Sequence, residues 1–301
     1  MPQPEPRKIV YLFGAGATHA ELADLYPTLV EKGRGVLISN VSRRVIEKAR
    51  SIEKYLKDLE TVTATSGSLN IELLISLIEQ SKIHSWEFKT QKLKDLVRED
   101  IESILTKSRT DHFYLHKALL EFHRHRLVKP QEKVTGLISL NYDDVLDSAY
   151  AEHYGAPHYC FSLEKDPPLS KTPFPLLKLH GSFNWRNQAI RGRSRRIEII
   201  PLGSNKNYLH APYAFIWNRA LEILIECDAL RVIGCSLSQN DAHLIDLLFK
   251  AHLERPGAFD VEIIGPEGVG EQIKQNYGFF PKIKTLPEIE GPLVADLLPE
   301  I

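Results

Sequence analysis

The sequence predicts an α/β fold: an open sheet of buried strands, with helices on both faces and an all-helical block set into it. Three observations carry this expectation. Short β-branched and aromatic runs recur along the chain and are apolar throughout, as buried strands are. Most of these runs end in glycine, asparagine or histidine, at the place where open α/β sheets put their chemistry. Between Val41 and Leu127 the strand pattern stops and apolar residues fall at helical spacing instead.

In chain order, Lys8 to Phe13 reads as the first strand, running into Gly14-Ala15-Gly16-Ala17-Thr18-His19, a glycine turn that opens a helix. Glycines let a backbone approach a diphosphate, and open N–H groups at a helix start favour its charge. The turn lacks the third glycine of the dinucleotide fingerprint, and no acidic residue ends a second strand about 20 residues on. Nucleotide loop and ordinary strand–helix turn both remain open on these residues alone. In the helical block, Val45, Ile52, Leu56, Ile71, Leu74, Ile75, Leu93, Val97, Ile101, Leu115 and Leu119 mark successive helices, and Ser68 or Asn70 offers a cap after a polar loop. His112, His116, His123 and His125 lie in this block. They read as a solvated helix surface, because no carboxylate or thiolate completes a metal-ligand set by spacing. The expected division is residues 1–40 and 130–301 for the sheet domain and residues 41–129 for the helical insertion.

The alternation then resumes. Val134 to Leu140 is a strand followed by Asn141-Tyr142-Asp143-Asp144 and a helix from Val145. Asn and Asp there can cap the helix or present an amide and a carboxylate to a ligand. Leu176 to Leu179 is a strand ending at His180-Gly181-Ser182. Five arginines between Arg186 and Arg196 read as an exposed hairpin tip or a phosphate contact. Ile197 to Ile200 is a further strand, and Pro212 to Cys227 an amphipathic helix. Ala229 to Ile233 ends in Gly234-Cys235-Ser236-Leu237, after which Asn240 or Asp241 starts a helix. Phe259 to Ile264 and Ile283 to Leu286 complete the strands.

Composition narrows the function. The chain has 301 residues and a formal net charge of -1, so no global field draws it to nucleic acid or to a membrane surface. The three cysteines are widely spaced, with no CxxC pair, which argues against a zinc module or a disulfide framework and for a reducing, cytoplasmic setting. No leader and no apolar run of roughly 20 residues is expected.

Taken in order, Gly14-Ala15-Gly16-Ala17-Thr18, Leu140-Asn141-Tyr142-Asp143, Lys178-Leu179-His180-Gly181-Ser182 and Gly234-Cys235-Ser236-Leu237 resemble the sirtuin-like family of NAD-binding domains. They resemble more closely its bacterial immune branch, over about Lys8 to Asn40 and Val134 to Glu267. The resemblance implies a Rossmann-like, mostly parallel sheet that binds NAD+. It implies His180 as the catalytic histidine, Asn141 as the residue that positions water and the nicotinamide-side ribose, and Asp143 as the residue that meets the nicotinamide amide. It places Gly14, Ala15, Gly16, Ala17, Thr18, Gly234, Ser236 and Leu237 around the diphosphate and ribose. Thr18 stands where the family usually has serine. The chain has neither the four-cysteine zinc module nor a visible acyl-lysine tunnel, so the resemblance implies metal-independent hydrolysis of NAD+ rather than deacylation. It further implies an anti-phage effector that is silent until it self-associates or meets a second protein, such as a DNA-translocase ATPase, with nucleic acid reached only through that partner. The competing expectations are a non-catalytic NAD or ADP-ribose sensor module and a nucleic-acid-associated subunit.

Overall fold

The computed structural model describes residues 5–49, 71, 74, 75, 87–108, 113–125, 132–161, 173–185, 189, 190, 193, 194, 208–237, 241–257, 259–266, 268–280 and 282–285. The expected cap at Ser68 or Asn70, the strand at Ile197 to Ile200, His112, and Arg186, Arg191, Arg195 and Arg196 lie outside them.

The strands are β1 (Arg7–Phe13), β2 (Glu132–Ser139), β3 (Leu176–Lys178), β4 (Ala189–Ile190), β5 (Arg193–Ser194), β6 (Ala229–Ile233), β7 (Asp260–Ile264) and β8 (Ile283–Thr285). Six of them form one sheet in the order β3-β2-β1-β6-β7-β8, and every pairing in it is parallel. β4 and β5 form a separate antiparallel hairpin, as expected for the arginine-rich stretch. The order is that of a doubly wound, Rossmann-like sheet: the chain builds outward from β1 through β2 to β3, then crosses back to β6 on the other side of β1. The reversal lies between β1 and β6, and the loops after these two strands carry the paired glycine motifs.

Continuous burial explains the strand sequences. Ile9 to Phe13 and all of β6 are buried, because helices cover both faces of a parallel sheet. The helices are α1 (Ala15–Leu25), α2 (Pro27–Glu31), α3 (Ile38–Lys48), α4 (Glu87–Lys107), α5 (Leu115–His125), α6 (Val145–Tyr154), α7 (Tyr213–Glu226), α8 (Ala242–Glu254) and α9 (Val269–Asn276). Ile71, Leu74 and Ile75 are also helical and buried. No described helix is long and apolar enough to cross a membrane.

The buried apolar residues fall into two clusters. One joins the sheet to α5, α6, α7 and α8 and includes Leu12, Leu120, Leu137, Tyr150, Leu177, Ile216, Val232 and Leu248. The other joins α1, α3, α4 and Ile71 to Ile75, through Leu22, Val45, Leu74, Leu93 and Val97. A buried carboxylate ties α3 to α4: Asp100 accepts from Arg44 Nε at 2.9 Å and pairs with Lys48 Nζ at 2.9 Å.

Two of the histidines read as a solvated surface are buried instead. His116 pairs with the buried Glu21 of α1, and His123 lies 2.7 Å from the Tyr11 hydroxyl of β1. α5 therefore turns its histidine face toward the sheet. The expected solvated face is therefore corrected: a histidine with a partner is compatible with burial.

Candidate active site

The carboxyl end of β1 runs into α1 through Gly14, whose amide donates to the Ile233 carbonyl at 2.9 Å; Gly16 donates to the Gly234 carbonyl at 2.8 Å. The two glycine loops thus lie against each other. Gly234 has φ +59°, and a Cβ there would lie 2.0 Å from the Ala17 amide nitrogen. Glycine is required by both conformation and space. The amides of Gly14, Gly16 and Ala17 are not open to a ligand. They are committed instead to Ile233, Gly234 and Gly14 carbonyls, because close contact of the loops uses them.

The next strand end brings in Asn141 and Asp143. Leu140 donates to the Phe13 carbonyl at 2.9 Å, which seats the Asn141-Tyr142-Asp143 loop beside the glycine turn. Asn141 Nδ2 donates to Gly14 O at 3.1 Å and to Thr18 Oγ1 at 3.3 Å, and Thr18 Oγ1 donates to Asp143 Oδ2 at 3.2 Å. One hydroxyl therefore links the two loops. Asp143 Oδ1 also accepts from the Val145 amide at 3.2 Å, while the N-cap position of the following helix is Asp144, which makes no side-chain capping bond. Burial raises the Asp143 carboxyl above its ordinary range, and the Lys178 ammonium works against that rise. Asn141 Oδ1 is buried with no hydrogen-bond partner among the described residues. A buried, unsatisfied carboxamide oxygen costs free energy that a bound donor relieves.

β3 supplies Lys178, fully buried, whose ammonium donates to the Asp143 carbonyl and pairs with Asp147 Oδ2 at 2.8 Å. Tyr159 donates to Asp147 Oδ1 at 2.5 Å, and Asn184 donates to the same oxygen at 3.2 Å. Sequence reasoning quoted Lys178 only as a motif letter. Its signal was a lysine inside an otherwise apolar strand, a place lysine occupies only when paired.

Past β3, Gly181 turns at φ +85°, and His180 is fully buried. His180 Nε2 lies 2.9 Å from Asp241 Oδ2, and the Tyr208 hydroxyl lies 3.4 Å from Nδ1. Burial, with Asp241 nearby, pushes the Tyr208 phenol well up, so it stays protonated. Tyr142 and Trp217 rings flank the imidazole, with centroids 6.4 and 6.2 Å away. Asp241 is the N-cap of α8, its Oδ1 accepting from the Leu244 amide at 3.3 Å, which agrees with the start read for this helix.

A cavity of about 380 Å³ opens at this strand-end crevice. That volume falls in the range of small-molecule sites, roughly 300–1,000 Å³. Gly14, Ala15, Gly16, Asn141, Tyr142, Asp143, Gly234, Cys235, Ser236 and Asp241 line it together with apolar residues such as Val36, Ile71, Ile75 and Val97. Ala17, Thr18 and Leu237 stand behind the lining, and so does His180, which reaches the cavity wall through Asp241. Leu237 is buried at φ +46°, in the left-handed region unusual for leucine. The Cys235 thiol is raised to about 12 by burial and stays protonated. Among the described residues no group of three or more His, Cys, Asp or Glu is placed to hold a metal ion.

No curated protein matches the chain. Among solved structures, one described as the structural basis for the mechanism and regulation of Sir2 enzymes is 14% identical, covering 97% of this chain and 90% of that one, with a TM-score of 0.37. A complex of a Sir2 homologue with NAD is 14% identical, covering 96% and 86%, with a TM-score of 0.43. A serine-to-alanine mutant of a Sir2 homologue in complex with ADP-ribose is 15% identical, covering 96% and 88%, with a TM-score of 0.36. The stretch from β2 to the start of β7, which contains Asn141, Asp143, His180, Gly234 and Asp241, matches a described sequence family: residues 135–261 are similar to the SIR2-like domain.

Proposed function

We propose that the protein is a metal-independent NAD+ hydrolase that releases nicotinamide and ADP-ribose. The observation that carries this reading is the convergence of three strand ends on one cavity, where the unpaired carboxamide oxygen of Asn141 stands among the Gly14–Gly16 turn, Asp143 and Ser236. Nicotinamide leaves the ribose of NAD+ as a neutral molecule, through a transition state with oxocarbenium character. The leaving group needs no proton and the reaction no Lewis acid. The protein has to hold the ring, stabilise the ribose cation and deliver water. Asn141, whose amide both donates and accepts, orients that water. Asp143, kept from ionising freely by burial, meets the nicotinamide amide. His180, which does not line the cavity, serves as the base of the site through Asp241, whose Oδ2 lies 2.9 Å from Nε2. The apolar wall of Val36, Ile71, Ile75 and Val97 suits the flat faces of the bases. Residues 41–129 form a helical insertion in a catalytic domain made of residues 1–40 and 130–301.

The motif resemblance supports a role as the effector of a bacterial anti-phage system, switched on by self-association or by a second protein such as a DNA-translocase ATPase. The test is to incubate the purified chain with NAD+, alone and with candidate partners, and to follow nicotinamide by chromatography. His180→Ala and Asn141→Ala should each slow release on the order of a hundredfold to ten-thousandfold. Release from His180→Ala at the parent rate overturns the assignment. A second reading is a non-catalytic NAD or ADP-ribose sensor. It draws support from the burial of His180 and from its absence from the cavity lining. Binding without nicotinamide release under every condition selects it.

A further inference from the structure

We propose that Asp241 is the member of an Asp241–His180 pair that meets the ligand, accepting a hydrogen bond from a ribose hydroxyl, and that His180 acts through it as a positioning residue. The inference rests on the NAD+ reading and refines it. The imidazole is fully buried, whereas the carboxylate attached to it lines the cavity. The two ring nitrogens are divided between two neighbours, Asp241 Oδ2 at 2.9 Å from Nε2 and the Tyr208 hydroxyl at 3.4 Å from Nδ1. The Tyr208 hydroxyl, a protonated phenol, faces Nδ1, and Asp241 Oδ2 stands at ion-pair distance from Nε2, so the expected tautomer carries its proton on Nε2. Asp241 lines the cavity and His180 does not.

Asp241 in turn is held through Oδ1 by the Leu244 amide at 3.3 Å, with Oδ2 2.9 Å from His180 Nε2. A carboxylate held so firmly at a cavity wall is pre-organised to receive a hydroxyl. At the end of β2 the acidic residue facing the cavity is Asp143, already engaged by Thr18 Oγ1 and the Val145 amide. The further acid comes from the loop after β6. It lines the cavity with Asn141 and Asp143, so that a carboxylate backed by an imidazole faces the position where positive charge develops.

Three variants test this in the full chain under whatever condition gives nicotinamide release. Asp241→Ser keeps a helix-capping oxygen and removes the carboxylate. It should melt near the parent and lose release on the order of a hundredfold or more, together with ADP-ribose affinity measured by calorimetry. His180→Gln should lose a comparable factor. The double variant should be no slower than Asp241→Ser alone, since residues acting as one unit are not additive. Additive losses, or Asp241→Ser within threefold of the parent, overturn the proposal. A second readout does not depend on turnover. In Asp241→Asn the Leu244 amide holds the side-chain oxygen, the amide NH2 faces Nε2, and Nε2 must become the lone-pair nitrogen. Nitrogen-15 shifts of labelled His180 should therefore switch from the Nε2–H to the Nδ1–H tautomer. An unchanged tautomer refutes the pair. If the parent releases no nicotinamide, while the tautomer switches and ADP-ribose affinity falls in Asp241→Ser, the hydrolase reading fails and the ligand-facing role of Asp241 stands.

Discussion

Gly234 and Ala17 touch across the point where the sheet reverses direction: a methyl group built on Gly234 would sit 2.0 Å from the Ala17 amide nitrogen and 2.4 Å from the Gly16 carbonyl carbon. The contact is backbone against backbone, so no side-chain rotation relieves it. Gly234→Ala combines this clash with a left-handed φ and should destabilise the protein by at least about 2 kcal/mol. Denaturant unfolding reads the loss. An unchanged midpoint would mean that the two loops are not in contact in solution.

Lys178 makes a second prediction. Its ammonium is fully buried and holds the Asp143 carbonyl and the Asp147 carboxylate together. Lys178→Met removes the charge and leaves Asp147 buried with only the Tyr159 and Asn184 donors described for it. Breaking a buried pair from one side costs about 3–5 kcal/mol. Lys178→Arg should not restore stability, because the planar fork is wider than an ammonium and this space is closed. Thermal melting of the two variants checks both statements.

The motifs at strand ends were legible because the signal is local. A buried run ending in glycine or asparagine says both that a strand stops and that polar groups gather at its tip. The Asn141–Thr18–Asp143 link and the Asp241–His180 pair were not legible. Each joins residues far apart in sequence, 125 positions for Thr18 and Asp143, and no spacing rule reaches that distance. The buried faces of His116 and His123 were missed for the same reason, since Glu21 and Tyr11 lie on other elements. Asp241 was readable as a helix cap, and that local role hid the long-range one.

Thr18 gives a test that separates its hydroxyl from its shape. Its Oγ1 accepts from Asn141 and donates to Asp143. Thr18→Ser keeps the hydroxyl and should retain nicotinamide release within a few-fold of the parent. Thr18→Val is nearly isosteric and removes one of the two partners of the Asn141 amide and the donor to Asp143 Oδ2, at a cost of about 1–3 kcal/mol in stability. It should also slow release by at least tenfold, about 1.4 kcal/mol of barrier, by loosening Asn141. Equal rates for Thr18→Ser and Thr18→Val would remove the hydroxyl from the site.

A pH prediction comes from the middle of the sheet. Tyr11, Arg231 and Glu262 stand in register on β1, β6 and β7. Arg231 donates to Glu262 at 2.6 Å, to Glu132 at 2.6 and 2.8 Å, and to the Tyr11 hydroxyl at 3.0 Å. Burial alone would raise the Glu262 carboxyl, but the Arg231 and Arg7 guanidinium groups outweigh it and hold it below its ordinary value of 4.5. A carboxyl depressed on folding contributes stability above its unfolded value, and that contribution is lost as pH falls through the folded value. The parent should therefore weaken as pH drops below about 4.5. Glu262→Gln, which cannot titrate, should show a shallower slope over that window, by at most about 1.4 kcal/mol per pH unit. Urea midpoints of the two proteins across this range decide the matter: parallel slopes would show that the Arg231–Glu262 contact carries no charge-dependent stability.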